Sequence, residues 1–86
     1  TKPVTGHTLG AAGALEAAVC FACIEKNYGR EEICLPVQVW DRQQDSEMPA
    51  LNIVDENSKN SGKVKICLSN SFAFGGANSS LIIGIK

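Results

Sequence analysis

From Ala11 to Lys26 the chain reads AAGALEAAVCFACIEK, a run of helix formers in which Glu16 is the sole charge before Glu25. A helix that is apolar nearly all round belongs inside a larger body and not on a surface. The chain has 86 residues, and a free domain of that size buries only roughly 60 to 65% of the surface its unfolded form exposes. It has little structure with which to surround a whole helix. The sequence therefore reads as one domain at most and as part of something bigger. It also begins without an initiator methionine, which fits a processed or excised piece.

The flanks of this helix set further expectations. Thr1 to Gly6 is short and polar, with Pro3 fixing one dihedral, and reads as an extended lead-in. Thr8 is placed to cap the first turn. Gly10 and Gly13 cost about 1 kcal/mol each relative to Ala inside a helix, so their use must be steric, admitting a close neighbour. Asn27-Tyr28-Gly29-Arg30 supplies the stop, with Asn or Gly available for the left-handed position. Beyond it, Val37 and Val39 alternate with Gln38 as a short strand after Pro36, and Leu51 to Val54 suggests a second extended piece. Asp41 to Pro49 reads as an exposed loop. Asp55 to Lys63, with Asn57-Ser58, Asn60-Ser61 and Gly62, reads as a turn region.

The last third has the period of strands. Val64, Ile66 and Leu68 alternate with Lys65, Cys67 and Ser69, a strand with one apolar face, while Leu81-Ile82-Ile83 with Ile85 is apolar on both faces, as in the middle of a buried sheet. The connection Asn70 to Asn78 is too long for a two-residue hairpin turn yet short enough for antiparallel pairing. Within it Phe72, Ala73 and Phe74 precede Gly75 and Gly76. Paired glycines after an aromatic suit a loop whose backbone N–H groups point at a ligand, although Phe72 and Phe74 are equally ordinary core aromatics. No helix follows, which argues against a phosphate-binding nucleotide loop, and Gly6 to Gly13 lacks the Gly-Lys-Ser/Thr ending of one. Asn78-Ser79-Ser80 matches a glycosylation acceptor formally, but it opens an expected core strand and reads as chance.

Composition removes several function classes. The net charge is -1 with no basic run, so a nucleic-acid partner is not expected. No apolar run approaches 18 residues, so membrane insertion is not expected; there is no signal-peptide pattern within the chain, and a targeting segment upstream of it stays open. Cys20 and Cys23 lie in the helix body and not at a helix start, where a redox pair would have its thiol acidified. With Cys34 and Cys67 they are expected to be reduced, mostly buried thiols, ahead of a disulfide set or a zinc site. No metal and no cofactor are expected.

His7 is the one histidine, the residue type suited to proton exchange or neutral hydrogen-bond donation near neutral pH. A structural reading is open, in which it satisfies backbone groups near a helix start. Against that, Lys2 lies just upstream and Gly6, Gly10 and Gly13 clear space around the ring. A neutral donor there suits a developing oxyanion. The residues supply half a site: no serine sits in a Gly-x-Ser-x-Gly elbow, and no cysteine has an obvious base beside it in sequence.

Lys2-Pro-Val-Thr-Gly-His7-Thr-Leu-Gly-Ala-Ala-Gly13-Ala-Leu-Glu-Ala17, together with Leu68-Ser-Asn-Ser-Phe72-Ala-Phe74-Gly-Gly76-Ala-Asn78, resembles the C-terminal end of the beta-ketoacyl-acyl carrier protein synthases, the condensing enzymes of fatty acid and polyketide synthesis. The resemblance implies an α/β, thiolase-like layered fold, with residues 1–86 forming the C-terminal part of its second half as one buried helix and a mainly antiparallel terminal strand pair. It implies a parent enzyme that joins an acyl thioester to malonyl-acyl carrier protein with loss of carbon dioxide. His7 matches the second of two histidines that stabilise the enolate oxygen, and Lys2 the lysine that organises the site electrostatically. Phe74 matches the gating phenylalanine of the glycine-rich loop, whose backbone N–H serves the oxyanion hole, with Gly75 and Gly76 letting that loop shift. The nucleophilic cysteine and the first histidine find no match, and none of Cys20, Cys23, Cys34 or Cys67 takes that role. Implied partners are acyl carrier protein, the two thioesters and the remainder of the synthase, in a cytoplasmic homodimer formed through the first half. Many members carry Gly where this chain has Ala73, which is expected to stiffen the gate or trim the acyl pocket. Leu35-Pro-Val-Gln-Val39 also lacks the usual Pro-Thr-x-Asn wording, as in a divergent branch serving products such as aryl polyenes. The alternative is a non-catalytic, chain-length-factor-like partner, which shares the fold and lacks the nucleophile.

Overall fold

A computed structural model describes residues 1–58 and 62–85. In chain order they form a one-turn helix α1 (Lys2–Thr5), a 3-10 turn (Leu9–Ala11), the long helix α2 (Ala12–Asn27), strand β1 (Ile66–Phe72), a second 3-10 turn (Phe74–Gly76) and strand β2 (Asn78–Gly84). The content is α/β. β1 and β2 pair antiparallel in register from Ile66 opposite Gly84 to Phe72 opposite Asn78, as the spacing of the two apolar runs predicts.

The start of the chain differs from expectation. Thr1 to Gly6 is not extended: Pro3 occupies the first turn of α1, where its missing N–H costs nothing. Gly6 ends that turn at φ 77, with its N–H donating to the Lys2 carbonyl at 2.7 Å. Thr8 heads the 3-10 turn without a side-chain cap bond, and only its carbonyl is used, accepting the Ala11 N–H at 3.1 Å. The 3-10 turn takes the place of the cap, because it supplies a partner for a first-turn N–H from the backbone.

α2 is half-buried along one broad side: Cys20 accepts the Cys67 Sγ of β1 at its carbonyl, Val19 and Cys23 face residues 34–36, and Glu16 meets Lys2. Ile24, at 4% exposure, is the buried apolar residue of the described chain. The opposite face is open and still apolar, with Phe21 62% exposed. The steric need expected at Gly10 and Gly13 is not seen within this chain: a Cβ at Gly13 would make only an ordinary 3.8 Å contact with the Ser71 Oγ, and one at Gly10 would meet nothing. At the other end Asn27, 3% exposed, donates through Nδ2 to the carbonyls of Cys23 and Cys34, and its Oδ1 accepts the Cys34 N–H. Gly29 takes the left-handed position at φ 73.

The sheet turns the opposite way from the hydrophobic pattern. Cys67, Ser69 and Ser71 face α2, while Ile66, Leu68 and Phe72 are 70%, 58% and 78% exposed. Small side chains let the helix come close. Among the described residues β2 pairs with β1 alone; Ile83 is half-buried, while Leu81 and Ile82 are exposed. The strands expected at 37–39 and 51–54 are extended segments joined by one backbone bond, Gln38 N–H to Val54 carbonyl at 2.7 Å, without a ladder. The loop 41–49 is exposed as expected and is ordered by Asp41 and Asp45, each accepting the N–H two residues on. The turn begins at Asp55 with the same device, accepting from Asn57. Its expected continuation through Asn60-Ser61 lies outside the described residues. Among the described residues no helix is long and apolar enough to cross a membrane.

Candidate functional site

Lys2 opens α1, and His7 lies on the short link from α1 to the 3-10 turn, just after the Gly6 turn. His7 is exposed and does not abut the long helix; Thr8 and the Leu9–Ala11 turn separate it from α2. Leu9 adopts φ 50, the left-handed region that costs a side-chain-bearing residue roughly 1–2 kcal/mol. That bend lets the chain reverse between the two helices.

The Lys2 ammonium reaches the Glu16 carboxylate of α2 at 2.5 Å, with side-chain exposures of 52% and 22%. That hydrogen bond holds the Glu16 carboxyl below the usual carboxylate range, the charges of Lys2, the N-terminus and His7 add to the effect, and partial burial opposes it. Glu16 thus lies within electrostatic reach of both Lys2 and His7. Sequence reasoning missed this role, although the signal was present: a single acid interrupts an otherwise apolar helical run. Asn27 was likewise read as a stop signal and serves as a buried clamp.

The second cluster is the loop between β1 and β2. Ala73 N–H donates to the Ala77 carbonyl at 2.8 Å, closing the loop one step beyond the Phe72–Asn78 pair. Gly75 and Gly76 hold φ 81 and φ 80, which side-chain-bearing residues rarely adopt. Ala73 sits at φ -123, ψ 166, extended backbone open to any residue, so its methyl imposes no strain in this conformation. Phe72 and Phe74 are both exposed, Phe74 entirely so; neither is a core aromatic within this chain. The approach of Gly13 to Ser71 brings the first turn of α2 against the end of β1 that feeds this loop.

All four cysteines are thiols. Cys20, Cys23 and Cys67 are half-buried, but Cys34 is exposed, against expectation. Burial pushes the Cys23 thiol up, with Cys20 and Cys34 adding to it, and burial also pushes Cys67 up. Neither has the acidified environment of a nucleophile. Among the described residues no group of three or more His, Cys, Asp or Glu is arranged to hold a metal ion.

Compared with known proteins, the chain is 38% identical over 82 residues to 3-oxoacyl-(acyl-carrier-protein) synthase 1 of Haemophilus influenzae, covering 95% of this chain and 18% of that protein. It is 35% identical over 83 residues to the synthase 1 of Escherichia coli, covering 96% and 18%. It is 39% identical over 82 residues to the chloroplastic synthase II of Arabidopsis thaliana, covering 95% and 14%. The chain spans less than a fifth of the length of these relatives. No family model matches it. No solved structure matches it.

Proposed function

Starting from a chain that is homologous over nearly its whole length to a segment of the 3-oxoacyl-(acyl-carrier-protein) synthases, we propose that residues 1–86 are the C-terminal part of the second half of such an enzyme. The parent is a beta-ketoacyl synthase of thiolase-like layered fold. It condenses an acyl thioester with malonyl-acyl carrier protein, releasing carbon dioxide, and works as a cytoplasmic homodimer. The chain alone is inactive, because the nucleophilic cysteine and the first histidine come from elsewhere in the parent.

Within that reaction the acyl group rests on the nucleophilic cysteine as a thioester. Decarboxylation of the malonyl group leaves an enolate, whose carbon attacks the acyl carbonyl and expels the cysteine thiolate. His7 donates a hydrogen bond to the enolate oxygen, and charge that develops in the transition state is where a fixed donor has most effect. Lys2, held by Glu16, keeps a positive charge beside His7 and is a positioning residue. The loop Phe72 to Gly76, with Ala73 and Gly75, is the gate: Phe74 shuts the acyl channel, and its backbone N–H faces the oxyanion of the acyl thioester.

The observation that supports this most is the likeness of 95% or more of this chain to the 3-oxoacyl-(acyl-carrier-protein) synthases, with Lys2 held by Glu16 beside the start of the long helix. The exposed apolar faces of α2 and the sheet fit a segment that the rest of a layered synthase covers. The test is condensation by the full-length protein with acyl- and malonyl-carrier protein. Product formation that His7→Ala reduces about 10²- to 10³-fold, while acyl transfer to the cysteine persists, is the expected result. A full-length protein that forms no product, and carries no cysteine to acylate, would favour the chain-length-factor-like role instead.

A further inference from the structure

The amide of Asn27 joins two cysteines from different segments. Its Nδ2 donates at once to the Cys23 carbonyl at 2.7 Å and the Cys34 carbonyl at 2.8 Å, and its Oδ1 accepts the Cys34 N–H at 2.6 Å. Asn27 is 3% exposed, so water competes little for these bonds. Both cysteines also line one apolar cleft of about 280 Å³ between α2 and residues 34–36, with Val19, Ala22, Leu35 and Pro36 around them. Cys34 is exposed and Cys23 half-buried. Cys67 is engaged elsewhere, its Sγ donating to the Cys20 carbonyl at 3.7 Å.

We propose that Cys23 and Cys34 are a peroxide-oxidisable thiol pair that closes to a disulfide, fastening the C-terminal end of α2 to the segment after it. The exposed Cys34 sulfur attacks one oxygen of hydrogen peroxide, breaking the O–O bond to form a sulfenic acid and release one water. The Cys23 sulfur then attacks the sulfenic sulfur, the S–O bond breaks, and the second water leaves with the Cys23 proton. Two thiols lose two electrons to one peroxide. A disulfide needs its Cβ atoms within roughly 3.5–4.5 Å. The clamp holds the two main chains together at the Cys23 and Cys34 carbonyls; a backbone shift of the 34–36 segment brings the Cβ atoms into that range, and rotation of the two side chains within the shared cleft then brings the sulfurs together. Because burial pushes the Cys23 thiol up, the second step speeds as pH rises toward that value and a larger share becomes thiolate. This inference does not depend on the condensing function.

The experiment is peptide mapping under non-reducing conditions of the full-length protein carrying this chain, treated with hydrogen peroxide and then alkylated. A Cys23–Cys34 linked peptide that dithiothreitol releases, with Cys20 and Cys67 alkylated, is expected. In Cys23→Ser, dimedone should trap Cys34 as sulfenic acid, and in Cys34→Ser, Cys23 should remain alkylatable. Oxidised wild-type protein in which both thiols stay alkylatable, in which Cys34 advances to sulfinic acid beside a reduced Cys23, or in which Cys23 links to Cys20 or Cys67, overturns the proposal. The wild-type map decides this whether or not a variant folds. A folded Asn27→Ala protein should link about tenfold more slowly, because orientation is no longer fixed in advance; an unchanged rate would overturn the role of the clamp.

Discussion

Glu16 and Lys2 make the residue-scale case that pairing carries information composition does not. The pair is partly solvated, so its effect on stability is small; in the proposed site it holds the ammonium for His7. The Glu16 carboxyl is depressed by the Lys2 hydrogen bond. A depressed carboxyl contributes its stabilisation above its unfolded value and loses it as pH falls through the lowered folded value. An NMR titration of the Glu16 carboxyl should therefore show a midpoint below that of an ordinary glutamate, returning toward the ordinary value in Lys2→Met; an unshifted wild-type midpoint would remove the pairing from the account. In the full-length synthase, Glu16→Gln should lower the condensation rate more than it lowers Tm, because the partner it releases is Lys2. At the loop, Gly75→Ala and Gly76→Ala each force a side chain into the left-handed region and should cost about 1–2 kcal/mol by denaturant unfolding. Ala73→Gly, at an extended backbone position, should cost less than about 1 kcal/mol, through chain entropy alone.

α2 and β1 show how far periodicity carries at the scale of elements. Helix and strand both occur where their periods put them, and the antiparallel pairing follows from the short connection between Phe72 and Asn78. Which face of β1 meets α2 did not follow. Alternation tells the two faces apart, but the face that meets α2 is the small-residue one, Cys67, Ser69 and Ser71, whose short side chains let a helix lie close. Helix boundaries were legible to within a turn, and the missing piece was the 3-10 turn that displaces His7 from the helix start. The Asn27 clamp joins the end of α2 to Cys34. Asn27→Ala would take the partner from the Cys34 N–H and carbonyl at a part-buried position, and should destabilise the full-length protein by about 1–2 kcal/mol, read as a shift in the denaturant midpoint.

At the scale of the molecule the chain exposes 7052 Å², where a compact monomer of its mass exposes about 4,900 Å². Its radius of gyration is 14.3 Å, against about 12 Å for a compact domain of this length. With Phe21 and the Ile66–Leu68–Phe72 face uncovered, the 86 residues prepared alone should bind a hydrophobic dye and melt without a cooperative transition. A sharp, dye-free monomeric transition would overturn the view that a larger body covers these faces. The sequence by itself determined the α/β content, the long apolar helix, the antiparallel pair and the two motifs at either end of the chain, because period and residue type act locally. Only the tertiary structure decided that Lys2 meets Glu16, that Asn27 binds Cys23 to Cys34, and that Gly13 seats on Ser71. Lys2–Glu16 and the seating of α2 on β1 join residues distant in sequence, while the Asn27 bonds span only four and seven residues; the selection of all of them rests on close packing and hydrogen-bond geometry, which periodicity does not encode.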